Sequence, residues 1–378
     1  MTSAALADHL RLVRTEGVGP ITYRRLLDRF ADPAAALDAL PALARAGGRP
    51  APLRVPAQSE IEREMEAVAG FGARLLVLGD PDYPALLARI DGAPPVLCVL
   101  GDVSALNARC VALVGARNAS TNGKHMAELL AYDLAQTGLV VVSGMARGVD
   151  TGAHTGALRG GRTVAAIAGG IDVVYPAENE ALQRLVAEGG AVVAEAPFGT
   201  APLARHFPRR NRVIAGLSLG VIVVEAAPKS GSLITARMAA EMGRELYAVP
   251  GSPLDPRCRG SNDLIRTGAH LVESAADVLA TLPGRSAAGP RAGLSERSSV
   301  FEPSAQSSQD ARRLVIENLG RDPTEVDDLV RRCQLSPSAV VAALLELELG
   351  GRLEMLPGNK ACLVGDWNAR SGPAIRMP

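Results

Sequence analysis

Short apolar runs recur between residues 71 and 283, and they constrain the fold more than any other feature of the sequence. The runs are "RLLVLG", "VALVGA", "LVVVSG", "TVAAIAGG", "AVVAEA", "GVIVVEA" and "ELYAVPG". Runs that are apolar at nearly every position predict strands buried on both faces, which is typical of a parallel sheet. Amphipathic segments between the runs predict the crossover helices of βαβ units. The sequence therefore predicts an α/β domain with a doubly wound, mostly parallel sheet.

Different patterns flank this central region. Residues 1–70 carry apolar residues at three- and four-residue spacing, which predicts a small helical module. Residues 284–308 are dominated by Gly, Ser, Ala and Pro without any period, which predicts a flexible linker. Residues 309–364 predict three helices followed by a two-stranded wing, the topology of a winged helix. We interpret residues 365–378 as a tail.

Charge and cysteine usage exclude several classes of function. Forty basic residues balance forty acidic ones, so any anion site must come from local clustering. The five cysteines show no spacing suited to zinc, which predicts no metal site and a reducing compartment. No apolar run approaches the roughly 18 residues of a membrane span, and no signal peptide is evident. We therefore expect a cytoplasmic protein without a membrane partner.

Glycines, hydroxyl side chains and cations follow the predicted strands. In a doubly wound sheet the ligand site lies at the carboxyl ends of the strands. Glycine lets a backbone approach a phosphate, and the N–H groups that open the next helix donate at the positive end of its dipole. We therefore predict phosphate-sized sites along this edge, although each glycine alone also fits a tight turn. The candidates are Gly115, Arg117, Gly144, Arg147, Gly169, Gly170, Lys229, Ser230, Gly231, Ser232 and Thr235.

The same positions argue against common cofactor sites. A dinucleotide site needs Gly-x-Gly-x-x-Gly after the first strand and a carboxylate after the second. Here "GARNAS" keeps only the first glycine, and the next strand ends at Ser143. No Gly-Lys-Ser/Thr closes a glycine stretch, so we expect no P-loop and no cofactor. Asp150 and His154 lie in the first turn of a predicted helix without a third partner, which favours capping over acid–base catalysis.

The stretch "RHFPRRNRVIAGL" places four arginines within eight residues around one phenylalanine. It follows the run "AVVAEA", so we expect a loop at the same sheet edge that leads into a helix. One or two arginines would hold the loop by donating to carbonyls, and Asn211 would cap the helix. The others offer charge to a nucleic-acid backbone, and Phe207 offers a stacking face to a base unless it is buried in the core. The candidates are Arg205, Phe207, Arg209, Arg210, Asn211 and Arg212.

Taken in their order along the chain, the motifs of this sequence resemble those of the DNA-processing protein A family (DprA, also called Smf). The resemblance rests on "VGAR", "VVSGMARGVDTGAH", "GGIDVVYP", "HFPRRNRVIAGL", "VVEAAPKSGSLITA" and "AVPG" and covers residues 71–283. It implies an extended Rossmann-like fold, with a sterile-alpha-motif-like helical module before it and a winged helix after it. It also implies a homodimer that binds and protects single-stranded DNA in natural transformation and hands the strand to the RecA recombinase.

The resemblance also suggests which residues hold DNA. Family contacts carry over most directly to Gly115 and Arg117, and less directly to Arg147, to Gly169 with Gly170, and to the segment containing Phe207. One departure is Ala177, where many relatives place a lysine after the Tyr-Pro pair. The loss of that lysine puts one phosphate contact in doubt.

Three alternatives stay open. Gly17 and Gly19 resemble a helix-hairpin-helix turn that holds a phosphate, or they simply join two packed helices.

The predicted recognition helix "PSAVVAALLELEL" has no Lys, Arg, Asn or Gln, so we expect the winged helix to contact protein or to pack autonomously instead of binding duplex DNA. The alternative function is a nucleotide-cleaving enzyme of the phosphoribohydrolase type. Against it, Arg237 and Met238 occupy positions where such enzymes would carry acids.

Overall fold

The structure is a computed structural model that describes residues 2–284 and 305–364. The described residues form two compact units, one of residues 62–284 and one of residues 2–61 together with residues 305–364. No helix within these ranges is long and apolar enough to cross a membrane.

A nine-stranded sheet forms the centre of residues 62–284. Its strands are β1 (Arg74–Val77), β2 (Val96–Gly101), β3 (Cys110–Gly115), β4 (Val140–Ser143), β5 (Thr163–Ile167), β6 (Ala191–Ala194), β7 (Gly220–Val224), β8 (Glu245–Ala248) and β9 (His270–Leu271). Their order is β1-β2-β6-β5-β4-β3-β7-β8-β9. From β6 to β9 all neighbours are parallel, whereas β1 and β2 extend the β6 edge in antiparallel fashion. The prediction of an α/β fold with a mostly parallel sheet is confirmed.

Helices cover both faces of this sheet. They are α4 (Gln58–Gly70, which crosses the boundary between the units), α5 (Ala85–Ala88), α6 (Thr121–Gln136), α7 (Val149–Gly160), α8 (Glu180–Gly189), α9 (His206–Leu217), α10 (Gly231–Glu241), α11 (Arg259–Arg266) and α12 (Ala275–Thr281). On one face, Ala112 of β3 belongs to the same apolar cluster as Ile214 of α9. On the other face, Leu113 belongs to a cluster with Leu130 of α6. Successive residues of β3 are therefore buried on opposite faces, which explains its unbroken apolar sequence.

The strand order reverses between β3 and β7. From β3 the chain moves outward through β4, β5 and β6, and it then returns to place β7 on the other side of β3. Helix α6, which follows β3, and helix α10, which follows β7, pack on opposite faces of the sheet. Such a reversal opens a crevice at the carboxyl ends of the strands. The predicted site residues after β3, β4, β5 and β7 all lie along this edge.

The second unit contains helices and a small sheet. Its elements are α1 (Ser3–Arg14), α2 (Pro20–Phe30), α3 (Pro33–Ala46), α13 (Ala305–Asn318), α14 (Val326–Cys333), α15 (Pro337–Leu349), β10 (Thr324–Glu325), β11 (Leu353–Leu356) and β12 (Lys360–Leu363). Asp32 and Ser336 cap α3 and α15, and each is followed by a proline in the first helical position. The sheet order β10-β12-β11 next to three helices confirms the predicted winged-helix module.

The end predicted for the linker, residues 284–308, lies inside helix α13. Residues 305–308 already form the first turn of α13. Their sequence, "AQSS", counted as linker composition, although Ala and Gln are favourable in helices. The remainder of the linker between residues 285 and 304, and the predicted tail of residues 365–378, lie outside the described residues.

Candidate nucleic-acid interface

A cleft of about 540 Å³ opens at the carboxyl edge of the sheet, beyond β3, β4 and β5. It is lined by the loops after these strands and by the start of α9. Six of the predicted residues meet in it, namely Arg117, Gly144, Arg147, Gly169, Phe207 and Arg210. The cleft thus brings together residues from distant parts of the chain, since Arg117 and Arg210 are 93 positions apart.

Arg117 and Phe207 form the most distinctive contact in the cleft. The guanidinium carbon of Arg117 lies 4.9 Å from the centroid of the Phe207 ring. Arg117 is exposed and Phe207 is half-buried, so the ring is part of the cleft wall and not of the core. Tyr175 also meets Phe207, edge-on at 6.0 Å between centroids, and is 50% exposed. The cleft therefore combines a cation with two aromatic rings.

Tyr175 was not among the predicted residues. The only signal in the sequence was its chemistry, because Phe, Trp and Tyr make up only 3% of the chain and this one lies in the "VVYP" motif. Asn118, which also lines the cleft, follows Arg117 in the loop after β3. Neither residue stands out by charge or spacing.

The segment containing the four arginines is a helix and not the expected loop. Helix α9 begins at His206, so Arg209, Arg210 and Arg212 all lie within the helix. Each residue turns by about 100° relative to the one before, so neighbouring arginines point in different directions. Arg205 and Arg209 are exposed, whereas Arg210 is buried and Arg212 is mostly buried.

Asn211 does not cap this helix, contrary to the prediction. It lies in the middle of α9 and is 8% exposed. Its side-chain amide donates to the backbone carbonyl of Gly231, at 3.4 Å. The expected cap position was wrong because the N-cap is Arg205, six residues earlier than the sequence pattern indicates. Asn211 instead links α9 to the start of α10.

Arg210 braces the floor of the cleft. Its Nη1 donates to the carbonyl of Gly144 at 2.6 Å and lies 3.8 Å from the carboxylate of Asp150. A Cβ at position 144 would lie 1.5 Å from the same nitrogen, so any larger residue there would displace the Arg210 guanidinium group. Burial lowers the pKa of Arg210 and raises the pKa of Asp150, while the attraction between them opposes both shifts. Arg210 thereby links α9 to the backbone after β4 and to the start of α7.

Arg212 has a similar structural role after β6. Its Nη2 donates to both carboxylate oxygens of Glu195, at 2.9 and 3.0 Å. The two side chains are 14% and 19% exposed, so little water competes with the pair. The expectation that one or two arginines hold the segment in place by donating to carbonyl groups is met at Arg210, which donates to two backbone carbonyls.

Two of the predicted glycines are required by internal packing. A Cβ at Gly115 would lie 2.6 Å from the Val224 carbonyl oxygen, and one at Gly170 would lie 2.6 Å from the Pro197 carbonyl oxygen. Gly115 therefore lets the end of β3 lie close to β7. Gly170 lets the loop after β5 approach the loop after β6, where its N–H donates to the Thr200 carbonyl at 2.8 Å.

The predicted residues after β7 lie outside the cleft. Ser230 caps α10, and its hydroxyl is 2.7 Å from that of Ser232. Ser232 and Thr235 are buried, so their side chains serve the helix start. Lys229 and Gly231 are exposed at the same sheet edge, on the far side of β3 from the cleft. They can extend a binding surface but do not line the cleft.

Glu225 occupies the crevice where the strand order reverses. It is buried at the end of β7, and its carboxylate accepts hydrogen bonds from the backbone N–H of Ser120, at 2.8 Å, and from the Ser120 hydroxyl. Ser120 is the N-cap of α6, so the carboxylate lies at the positive end of this helix. Doubly wound sheets bind nucleotide phosphates at this position. Here the chain fills it with its own carboxylate.

His154 is buried in the second turn of α7 and not in the first turn, where the sequence pattern placed it, and α7 has no side-chain cap. Its Nδ1 lies 2.8 Å from the Thr163 hydroxyl, and burial lowers its pKa to about 3. The described part of the chain contains no group of three or more His, Cys, Asp or Glu residues placed to hold a metal ion.

We expect the contribution of His154 to the free energy of unfolding to depend on pH. Because its pKa is lowered from 6.5 to about 3, this stability is complete above pH 6.5 and is lost as the pH falls towards 3. The difference in unfolding free energy between wild type and His154→Leu should therefore shrink over that range in urea titrations. Thr163→Val, which removes the same hydrogen bond and keeps the imidazole, should differ from wild type by a nearly constant amount. A constant difference for both variants would contradict the prediction.

Family models match three consecutive parts of the chain. Residues 74–283 match DNA recombination-mediator protein A. Residues 3–67 match the DprA-like N-terminal HHH domain, and residues 300–359 match the DprA winged helix domain.

Curated relatives and solved structures agree with these models. The protein Smf of Escherichia coli is 39% identical over 287 residues, which cover 75% of this chain and 76% of the relative. The DNA processing protein DprA of Streptococcus pneumoniae is 46% identical over 202 residues, covering 53% of this chain and 71% of the relative.

The X-ray structure of DprA from Streptococcus pneumoniae aligns with a TM-score of 0.64 and 33% identity, over 75% of this chain and 99% of that one. A structure describing the single-stranded DNA binding mode of DNA processing protein A from Helicobacter pylori aligns with a TM-score of 0.51 and 29% identity. It covers 56% of this chain and 95% of that one.

Proposed function

This chain belongs to the family of DNA recombination-mediator protein A, and from that premise we propose that it binds single-stranded DNA in the cleft around Arg117 and Phe207. The observation that carries the proposal is the guanidinium group of Arg117 above the Phe207 ring, inside a cleft at the carboxyl edge of the sheet. The single-stranded DNA binding described for the Helicobacter pylori relative supports it.

The chemistry of the cleft suits an unpaired strand. An aromatic face stacks on any base, and arginine neutralises the adjoining phosphates, so binding by these groups is tolerant of sequence. The half-exposed Tyr175 offers a second ring to a base. In a duplex the bases are already stacked on one another, so their faces are not free for Phe207 and Tyr175. We therefore propose a preference for single strands.

Exposed cations around the cleft extend the path for the phosphates. Arg147 is paired with Glu178 at 2.6 Å, but both side chains are about half exposed, and such surface pairs are weak. A phosphate can therefore replace Glu178 as the partner of Arg147. We propose that Arg205 and Arg209 at the start of α9, and Lys229 beyond β7, continue this basic surface.

We also propose that the protein acts as a homodimer and passes the bound strand to the RecA recombinase during natural transformation. The support is its family, whose matched model describes a recombination mediator. We place this activity in the cytoplasm, because all five cysteines are free, as is usual in a reducing compartment.

We propose no catalytic role for the site. The candidate acids and bases near the sheet edge already have structural partners: Asp150 faces Arg210, His154 faces Thr163, and Glu225 faces Ser120. On α10, an exposed Arg237 stands where a phosphoribohydrolase would need an acid. That enzyme remains the alternative function, and release of ribose 5-phosphate from nucleoside monophosphates would establish it.

The proposal is tested by measuring affinity for matched single-stranded and double-stranded oligonucleotides over a salt series. We expect tighter binding of the single strand, and a slope of log K against log salt near −0.7 for each phosphate contacted. A parallel assay with nucleoside monophosphates should release no ribose 5-phosphate. Equal affinity for the two DNA forms at every salt concentration would reject the proposal.

A further inference from the structure

Helix α15, which corresponds to the recognition helix of the winged-helix module, is buried on more than one face. Five consecutive residues, Ala343 to Leu347, are at most 8% exposed. Five successive positions span more than a full turn of helix, so they cannot all face the same way. A helix that is apolar all round has packing partners on several sides.

One set of partners is the rest of the winged-helix module. Leu344 and Leu347 belong to an apolar cluster with Val315 of α13 and Leu329 of α14. This cluster is the core expected for three helices and a wing. It accounts for one side of α15.

The other set of partners comes from the N-terminal helices. Leu345 and Leu349 belong to a separate apolar cluster together with Leu12 of α1 and with Leu37 and Leu40 of α3. Leu345 is 2% exposed and Leu349 is fully buried. The second side of α15 therefore completes the core of the N-terminal module.

Two glycines let the backbones of α3 and α15 approach each other where both helices end. A Cβ at Gly47 would lie 1.7 Å from the carbonyl oxygen of Glu346, and a Cβ at Gly350 would lie 2.2 Å from the carbonyl oxygen of Gly47. Neither glycine has a positive φ, so backbone freedom does not explain them. Close approach of the two helices is the reason that a side chain is excluded at both positions.

Charged groups also face one another at this contact. Arg25 of α2 and Glu348 of α15 attract each other, and both are largely buried. Burial lowers the pKa of Arg25 and raises the pKa of Glu348, as expected for groups removed from water. On the opposite side, Glu346 pairs with Arg312 of α13. Glu346 is therefore paired with an internal arginine, and Glu348 accepts a hydrogen bond from the backbone N–H of Met355, so neither belongs to a solvated surface.

We propose that α15 is a docking surface for the chain's own N-terminal helices and not for a DNA major groove. The half of α15 from Ala343 onwards is enclosed between two cores, and the exposed first turns contain no Lys, Arg, Asn or Gln that could read base edges. The two modules, although about 260 residues apart in the sequence, then open and close as one cooperative unit. The winged-helix module stabilises the N-terminal module, and the reverse also holds.

Hydrogen–deuterium exchange on the full chain tests this proposal with a matched pair of variants. Gly47→Ala adds a methyl group at the contact, and Gly19→Ala adds one at a position with no atom within 4 Å. We expect Gly47→Ala to accelerate exchange about tenfold or more in both α3 and α15, and Gly19→Ala to leave α15 unchanged. Acceleration in α3 alone would overturn the proposal.

The reciprocal variant guards against a simple defect in α3. Gly350→Ala disturbs the contact from the winged-helix side, and it should accelerate exchange in α1 and α3 as well as in α15. Val341→Ala, at a 37% exposed position on α15, is its control and should leave α1 and α3 protected. If Gly350→Ala changes exchange only in residues 305–364, the two modules are independent and the proposal fails.

Discussion

Replacing Arg210 with methionine should lower the free energy of unfolding by about 3–5 kcal/mol. Removing one partner of a buried ion pair leaves the other charge, here Asp150, uncompensated, and losses of that size are typical. The carbonyl oxygen of Gly144 also loses its donor. Urea unfolding at neutral pH measures the effect.

Arg209→Met is the matched control for this prediction. Arg209 precedes Arg210 on α9 and is exposed, so the same substitution there should change the unfolding free energy by no more than about 0.5 kcal/mol. Arg210→Met together with Asp150→Asn should recover part of the lost stability, because the uncompensated carboxylate is then absent. Equal effects of Arg209→Met and Arg210→Met would show that Arg210 does not brace the cleft.

Phe207→Ala should weaken single-strand binding by about 1–3 kcal/mol, which is roughly 5- to 150-fold, while the salt slope stays nearly unchanged. Stacking on a base releases few counterions, so its loss has little salt dependence. Arg117→Ala should behave differently, because losing one phosphate contact flattens the slope by about 0.7 as well as weakening binding. Titrations of a labelled oligonucleotide at several salt concentrations separate the two effects.

Phe71→Ala is the aromatic control for Phe207. Phe71 is 43% exposed and meets Phe198 edge-on at 5.8 Å between centroids, an arrangement like that of Phe207 with Tyr175 but outside the cleft. It should leave affinity for the strand unchanged. If Phe207→Ala lowers affinity no more than Phe71→Ala does, Phe207 has no part in stacking and the cleft loses its assigned role.

The sequence predicted the sheet well because strands buried on both faces have a local signature. Every apolar run that was singled out is a strand, and the residues that follow these runs do lie at one edge. Strands β2 and β9 were not singled out. β9 is only two residues long, and β2 joins the sheet in antiparallel fashion outside the βαβ pattern.

The site was less predictable because its roles depend on partners far along the chain. Nothing near Gly144 indicates that it makes room for Arg210, and nothing near Arg212 indicates that Glu195 lies opposite. Local sequence also could not show that α9 starts at His206, which decides whether an arginine points inward or outward. Composition alone identified the arginine-rich segment, but only the helix shows which of its cations stay free for a phosphate.

The burial of α15 could be anticipated only in part. Its lack of basic residues argues against duplex recognition, and this stays a prediction. The sequence favoured protein contact or autonomous packing, but the partner is set by tertiary structure, since α3 lies about 290 residues earlier. Glycines such as Gly47 look like ordinary helix ends in the sequence, and only the structure shows the backbone they approach.

The carboxylate of Glu225 lies at the N-terminus of α6, where a doubly wound sheet would otherwise hold a nucleotide phosphate. A ligand that is part of the chain is held beside its site at an effective concentration that a freely diffusing competitor does not reach. ATP, NAD and other abundant nucleotides would have to displace a carboxylate that is already hydrogen-bonded to Ser120. We therefore expect strand binding in the neighbouring cleft to require neither nucleotide loading nor nucleotide release, and titrations of an oligonucleotide with and without ATP should give the same affinity.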